Sequence, residues 1–290
     1  MNKTLTKVIV IMAVFGVSLS AIFGKIVTAP SLVSAMYRMA FTSLLLLPVI
    51  LARYQRELAR TGRKNVAMCL LSGVFLGFHF ASYLESLKYT TIASSTVLVD
   101  LEVLFVALMM FFLFRERIPR LALAGIAVTL IGSFIIAMGD SSGGSNIIYG
   151  DMMALLGAFC TSVYTMIGRA QRQHLSTTAY TFLVYLSASV TLGIAVALTG
   201  TQAVGYPVTD YLSFLGMAVC CTLLGHSIFS WALRYISPAF VSTAKLLEPV
   251  FATIMGILLF SEIPRVNQVI GGVIVIGGIL IYMFTKEDGD

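Results

Sequence analysis

Apolar residues fill this chain in ten long stretches, each closed by a short polar break. Read with a window of about 19 residues, the stretches run approximately Val8–Ala29, Leu32–Ala52, Val66–Leu87, Thr91–Phe114, Leu121–Met138, Tyr149–Gly168, Thr178–Thr199, Tyr211–Leu233, Pro238–Phe260 and Val269–Phe284. Most hold about 18–24 residues, enough for an α-helix rising about 1.5 Å per residue to cross about 30 Å of hydrocarbon. None alternates polar and apolar positions as a membrane β-strand does. The pattern therefore predicts an all-α membrane protein with ten transmembrane helices.

Composition agrees. The 290 residues are 58% hydrophobic and 11% charged, with a mean hydropathy of +0.95, whereas soluble domains carry roughly 25% charged residues. A soluble globular protein, a disordered chain and a disulfide scaffold are all excluded. Cys69, Cys160, Cys220 and Cys221 lie inside apolar runs without metal-ligand spacing, so they read as small buried residues; no metal or cofactor is expected. The formal net charge of +6 raises the question of nucleic acid, which the placement of the charge answers. With a cytoplasmic N-terminus, fourteen Lys and Arg residues fall in inner segments, and only Lys88 and Arg265 in outer loops. This positive-inside bias puts both termini in the cytoplasm of a multi-pass inner-membrane protein and makes the charge topological. A signal-peptide reading of the first stretch, with Ser18-Leu19-Ser20-Ala21 as a cleavage site, fails because its pattern recurs in the sixth.

Shifted by 146 residues, Leu87–Glu116 meets its counterpart with ten identities in thirty positions, Glu102/Glu248 among them. Gly125/Gly271 and Gly132/Gly278 keep that offset, and Ser18, Gly24 and Lys25 meet Ser162, Gly168 and Arg169 at an offset of 144. Five spans per repeat is an odd number, so the halves enter the membrane in opposite directions. The expected modules are residues 1–140 and 149–290, divided at the Gly/Ser-rich outer loop. Inverted repeats of this kind hold substrate near mid-membrane where they meet.

Ionisable groups at that depth are costly and point to function. Asp100 and Glu102 lie in span four, Lys245 and Glu248 in span nine, Lys25 and Arg38 in the outer halves of spans one and two, and Glu85 near the end of span three. Lys245 and Glu248 are three residues apart and are expected to form an ion pair on one helix face. Asp100 and Glu102 point about 200° apart, and Glu102, matched in the repeat, is the better cavity candidate. Pro249 is expected to kink span nine and free the Lys245 carbonyl; the competing reading is a tolerated kink with a structural salt bridge. His79, Ser82, Tyr83 and Ser86 form a polar stripe on span three, as do Thr222, His226 and Ser230 on span eight. These stripes either line the cavity or join helices by hydrogen bonds. Trp231 is either an interfacial anchor or a stacking surface for substrate. Gly73 and Gly77, and the glycines of span ten, read as close-packing contacts.

Ala232-Leu-Arg-Tyr-Ile-Ser-Pro238, Leu247-Glu-Pro-Val-Phe251 and Ser261-Glu262 resemble the second half of an EamA-type member of the drug/metabolite transporter superfamily. Ser86-Leu-Lys-Tyr-Thr-Thr-Ile-Ala-Ser-Ser95, Leu104-Phe105 and Arg115-Glu116-Arg117 resemble its first half. The resemblance covers the whole chain as two tandem modules. It implies ten helices, cytoplasmic termini, alternating access, a cavity lined mainly by spans three, four, eight and nine, and small organic solutes as substrates. Where the first module often has proline, this chain has Val103, so span four is expected to be less kinked and more acidic.

The expected function is a secondary-active exporter or exchanger of small metabolites. Mixed charge favours a zwitterion such as an amino acid or its derivative: Lys245 or Arg38 would meet a carboxylate, and Glu102 or Glu248 an ammonium. Nucleotide sugars or drug cations are the alternatives within the fold. Substrate-binding candidates are Glu102, Glu248, Lys245, His79, Tyr83, His226, Arg38 and Trp231, and Glu102, Glu248 and Asp100 are candidates for coupling to protons or a counter-substrate. An intramembrane enzyme would need paired catalytic groups, which the spacing does not offer, and a channel filter would need one sign of charge.

Overall fold

The computed structural model describes residues 3–89, 95, 98–116, 118–138, 146–248, 250–251, 254–255, 258 and 265–284. Among them every regular element is helical. We number the helices by span: α1 Lys3–Ile26; α2 Ser31–Val49, prolonged through a π-helical turn Ile50–Tyr54 and a last piece Gln55–Arg60; α3 Arg63–Tyr89; α4 Glu102–Phe114; α5 Arg120–Ala137. The second half gives α6 Ile147–Gln171; α7 Thr177–Leu198; α8, built from Val208–Gly216, a π-helical stretch Met217–His226 and Ser227–Ala232; α9 Pro238–Lys245; and α10 Val266–Met283. Six of these, α1, α2, α3, α6, α7 and α8, are long and apolar enough to cross a membrane on their own, and α5 and α10 hold shorter apolar cores. Outward faces are apolar: Leu44, Phe112, Leu198 and Val273 stand 60%, 71%, 83% and 67% exposed, as a lipid-facing surface requires.

Local sequence sets the boundaries. Pro30, Pro119 and Pro207 immediately precede α2, α5 and α8, where a residue of fixed φ opens a helix without losing a backbone bond. Ser176 and Ser237 accept hydrogen bonds from the amides of Ala179 and Ala239 at the starts of α7 and α9, both at 3.2 Å. Pro48 inside α2 donates no amide hydrogen, and the π turn follows two residues later.

The two halves are interlocked. The most extensive interhelical packing joins α5 to α10, α3 to α6 and α7, α2 to α7, and α1 to α8, each pair taking one helix from either half. Exchanging helix n of the first half with helix n of the second maps this pattern onto itself. The α3–α6 pair becomes α8–α1, α3–α7 becomes α8–α2, and α4–α6 becomes α9–α1, all of which occur. The molecule is thus ten helices in two inverted five-helix repeats.

The matched glycines sit where this symmetry demands closest approach. A Cβ on Gly125 would lie 2.8 Å from the Gly278 carbonyl oxygen, and one on Gly271 would lie 2.6 Å from that of Gly132. The two contacts exchange under the repeat, so backbone meets backbone twice where α5 crosses α10. Gly73 is equally tight, its Cβ position falling 2.3 Å from the Val184 oxygen of α7. Gly277 faces open space, so the close-packing role expected for span ten falls on Gly271 and Gly278.

Span four differs from expectation. Despite Val103 in place of proline, the chain turns at Leu101, whose amide bonds Leu98 at 3.3 Å, before α4 starts at Glu102. Its repeat partner Leu247 lies in the turn that ends α9. Both halves therefore interrupt the same span at the same repeat position, and an i−3 hydrogen bond at that step breaks the ladder without proline. Pro249 lies outside the described residues.

Candidate functional site

These interruptions bring charged side chains to one level. Glu102, at the first turn of α4 and 5% exposed, receives Lys245 from α9 on both oxygens, with Nζ at 2.9 Å from Oε1 and 3.0 Å from Oε2. Ser242 of α9 donates to Oε1 at 2.8 Å and Thr165 of α6 at 3.1 Å. Lys245 Nζ also stands 5.6 Å from the Phe229 ring of α8. Each charge of this pair is thereby matched inside the protein.

The expected Lys245–Glu248 ion pair is corrected: Lys245 serves Glu102. An i, i+3 pair needs continuous helix, and α9 stops at Lys245, with a turn at Leu246 and Leu247 before Glu248. Glu248 is left half-buried, and among the described residues its carboxylate has no hydrogen bond or ion pair, while its carbonyl accepts from Ser18 at 3.3 Å. The repeat position that answers Lys245 is Val99, so the single lysine of the site belongs to one half and neutralises the acid of the other.

Arg38 of α2, 5% exposed, faces Glu248 electrostatically. Its Nε donates to Thr222 Oγ1 at 2.8 Å, its Nη1 to Ser20 Oγ at 3.4 Å, and its guanidinium carbon stands 4.8 Å from the Phe80 ring centre. Nη2 is buried without a hydrogen-bond partner. Thr222 rides on the π-helical stretch of α8, which also presents His226; π-helical segments recur at functional sites. Asp100 is near enough to Glu102, Glu248 and Lys245 to feel their charge, and its Oδ2 is buried and unpartnered.

The two histidines flank Phe80. His79 Nδ1 bonds the Gly157 carbonyl at 3.1 Å, and its ring lies 5.1 Å from Phe80 and stacks on Tyr83 at 6.2 Å. The His226 ring meets Phe80 edge-on at 5.7 Å, and its Nδ1 is buried without a partner. The histidines are one residue more than the repeat offset apart, so both halves place an imidazole beside this ring. Trp231 stands apart, packed on Tyr235 at 5.4 Å and against the apolar core.

Among the sequence candidates, Glu102, Lys245, Glu248, Arg38, His79 and His226 thus interact directly or through Phe80 and their mutual fields. Thr165, Ser242, Ser20 and the ring of Phe80 complete the cluster and were missed, whereas Thr222, which bonds Arg38, belongs to the polar stripe expected on span eight. Ser242 was findable, since it lies three residues before Lys245 on one helix face; Thr165 and Ser20 carry no local signal. The side chain of Lys25 lies outside the described residues. The turn between α1 and α2 is tied to the start of α8 by the fully buried Asp210, which accepts from the Thr28 amide and hydroxyl and the Ala29 amide at 2.8–3.2 Å. On the opposite face, Arg169 of α6 donates to both oxygens of Glu116 at 2.9 and 3.1 Å.

Comparison with known proteins gives a consistent picture. The model of the EamA-like transporter family matches residues 5–138 and 148–284. A protein of Clostridium kluyveri named only as a transporter is 26% identical over 86% of this chain and 82% of its own length. A probable amino-acid metabolite efflux pump of Salmonella typhimurium is 27% identical over 77% of this chain and 79% of its own. The pseudopaline exporter CntI of Pseudomonas aeruginosa is 25% identical, over 78% of each. A solved crystal structure superimposes with a TM-score of 0.79 over 97% of this chain and 98% of that one; at 16% identity this is a likeness of fold alone.

Proposed function

This chain belongs to the EamA-like transporter family, and from that premise we propose that it exports or exchanges small zwitterionic metabolites, amino acids or their derivatives, by alternating access. The observation that carries this reading is the division of charge at the site. Glu102 and Lys245 satisfy each other, and among the described residues Arg38 keeps an unpartnered N–H and the Glu248 carboxylate has no hydrogen bond or ion pair. A guanidinium and a carboxylate that attract without touching fit a solute carrying both charges, its carboxylate on Arg38 and its ammonium on Glu248. The wall beside Arg38 is aromatic, built from Phe80 with His79 and His226 on either side. The names of two relatives, an amino-acid metabolite pump and an exporter, point the same way.

Alternating access would rearrange helices drawn from both interlocked modules, expected at 1–140 and 149–290, around this site, with the Asp210–Thr28 and Arg169–Glu116 contacts on opposite faces as closures. The start of α1 and the end of α10 share the basic face, which the positive-inside rule assigns to the cytoplasm of the inner membrane. Protons or a counter-substrate would act through Glu248 and Asp100, whose Oδ2 is buried without a hydrogen bond.

The test is counterflow in proteoliposomes loaded with a mixture of amino acids. Competition by the intact amino acid, with none by its decarboxylated amine or its N-acetyl derivative, is the expected result. Equal competition by the amine alone would favour a cation transporter and sink the zwitterion assignment.

A further inference from the structure

Away from this site, the face that carries the start of α1 and the end of α10 holds a cleft of about 540 Å³. Four cationic side chains, Lys3, Arg115, Arg169 and Arg234, line it against a single carboxylate, Glu116. Arg169 is occupied by Glu116, but the exposed guanidinium groups of Arg115 and Arg234 have no hydrogen-bond or ion-pair partner among the described residues. Arg115 adopts the left-handed conformation, φ 56°, directly after α4, where glycine is the usual occupant. The cleft's floor is apolar, with Met110, Leu233 and Ile236 buried. Its flank is lipid-facing: Leu113 stands 70% and Phe284 81% exposed beside the lining residues Arg115 and Tyr282.

We propose that this cleft binds the phosphate headgroup of an anionic phospholipid from the leaflet on the basic face. A phosphodiester presents two non-bridging oxygens that the planar guanidinium fork can bind in a bidentate way, and basic pockets between membrane helices suit such headgroups. The acyl chains would lie over Leu113 and Phe284, where a free phosphate would leave apolar wall wet. Buried apolar side chains separate the cleft from Glu102 and Lys245. Val106 and Met110 of α4 and Phe240 and Val241 of α9 are buried in the apolar core on the helical path from it to Glu102 and Lys245. The proposal concerns binding alone and stands whether or not the solute is a zwitterion.

The full chain in neutral detergent, titrated with phosphatidylglycerol or phosphatidylcholine, provides the test. Phosphatidylglycerol is expected to raise Tm by roughly 3–5 °C above phosphatidylcholine, and native mass spectrometry is expected to show it retained. The R115Q/R234Q variant loses that difference while keeping the wild-type Tm in phosphatidylcholine, and R115K/R234K retains most of it. Glycerol phosphate or inorganic phosphate reproducing the shift would assign the cleft to a soluble phosphate compound and overturn the lipid. Equal response to both lipids, or an undiminished preference in R115Q/R234Q, would overturn the site itself.

Discussion

Lys245 donates to both carboxylate oxygens of Glu102 at 2.9 and 3.0 Å, across the junction between the two repeats and at the point where both interrupted spans meet. The pair does two things at once. It joins α4 to α9, and it removes one acid and one base from the charges a solute would encounter. Ser242 and Thr165 both add a donor at Oε1, so the buried acid is held by an ammonium on both oxygens and two hydroxyls on one.

Lys245→Ala leaves the Glu102 carboxylate buried with hydroxyl donors only. The expected loss is about 3–5 kcal/mol, and the paired change Glu102→Gln/Lys245→Met should recover most of it. Denaturation of the purified variants measures both. A single variant as stable as wild type would show that the ion pair contributes nothing to the fold.

Glu248→Gln removes no side-chain hydrogen bond seen among the described residues, so insertion and stability should match the wild type. Transport is expected to fall at least about tenfold, a loss of about 1.4 kcal/mol in transition-state terms. Wild-type exchange rates in proteoliposomes would remove Glu248 from the site.

Arg38→Lys keeps the charge and loses the fork. An ammonium cannot bond Thr222 and Ser20 in the guanidinium geometry while offering a further planar N–H. Apparent KM for the solute is expected to rise at least about tenfold, again about 1.4 kcal/mol, while surface expression is unchanged. Unaltered KM would place substrate recognition elsewhere.

Gly278→Ala puts a methyl 2.6 Å from the Thr129 amide nitrogen at the α5–α10 crossing, and should cost about 1–3 kcal/mol by overpacking. Gly277→Ala, beside it but facing open space, should change stability by no more than about 1 kcal/mol and in the stabilising direction. Comparison of the two melting temperatures distinguishes a packed crossing from a merely glycine-rich helix.

Cysteines introduced at exposed Lys64 and exposed Val204 are expected to react with an impermeant thiol reagent from opposite sides of the membrane, Lys64→Cys only from the cytoplasmic side. Labelling of both from one side contradicts the ten-span path, and reversed sides contradict the orientation assigned to the basic face.

Span number, repeat and helix type were legible because each rests on a property of the bare chain: apolar length, offset identity and absence of alternation. Even the α5–α10 crossing was foreshadowed, since Gly125, Gly132, Gly271 and Gly278 keep the repeat offset. What could not be read was which helix a charged side chain faces. The partner of Lys245 depends on α9 ending at that residue, a fact of tertiary packing that i, i+3 spacing assumes away. Span four likewise turns at Leu101 with no proline in its sequence to mark the break. Arg38 was recognised as costly, but its hold on Thr222 depends on the π-helical stretch of α8, for which no sequence rule is available.

The unequal placement of Lys245 has one more outcome. The scaffold is mirrored, with a helix of one half for every helix of the other, yet Val99 stands where a second lysine would restore the balance. Rocking such a frame exchanges the backbone roles of its halves and leaves the ammonium where it was. Under the proposed alternating access, inward-facing and outward-facing pockets are then chemically different rooms, and transport is expected to show sidedness: one half-saturation concentration from the cytoplasm and another from without.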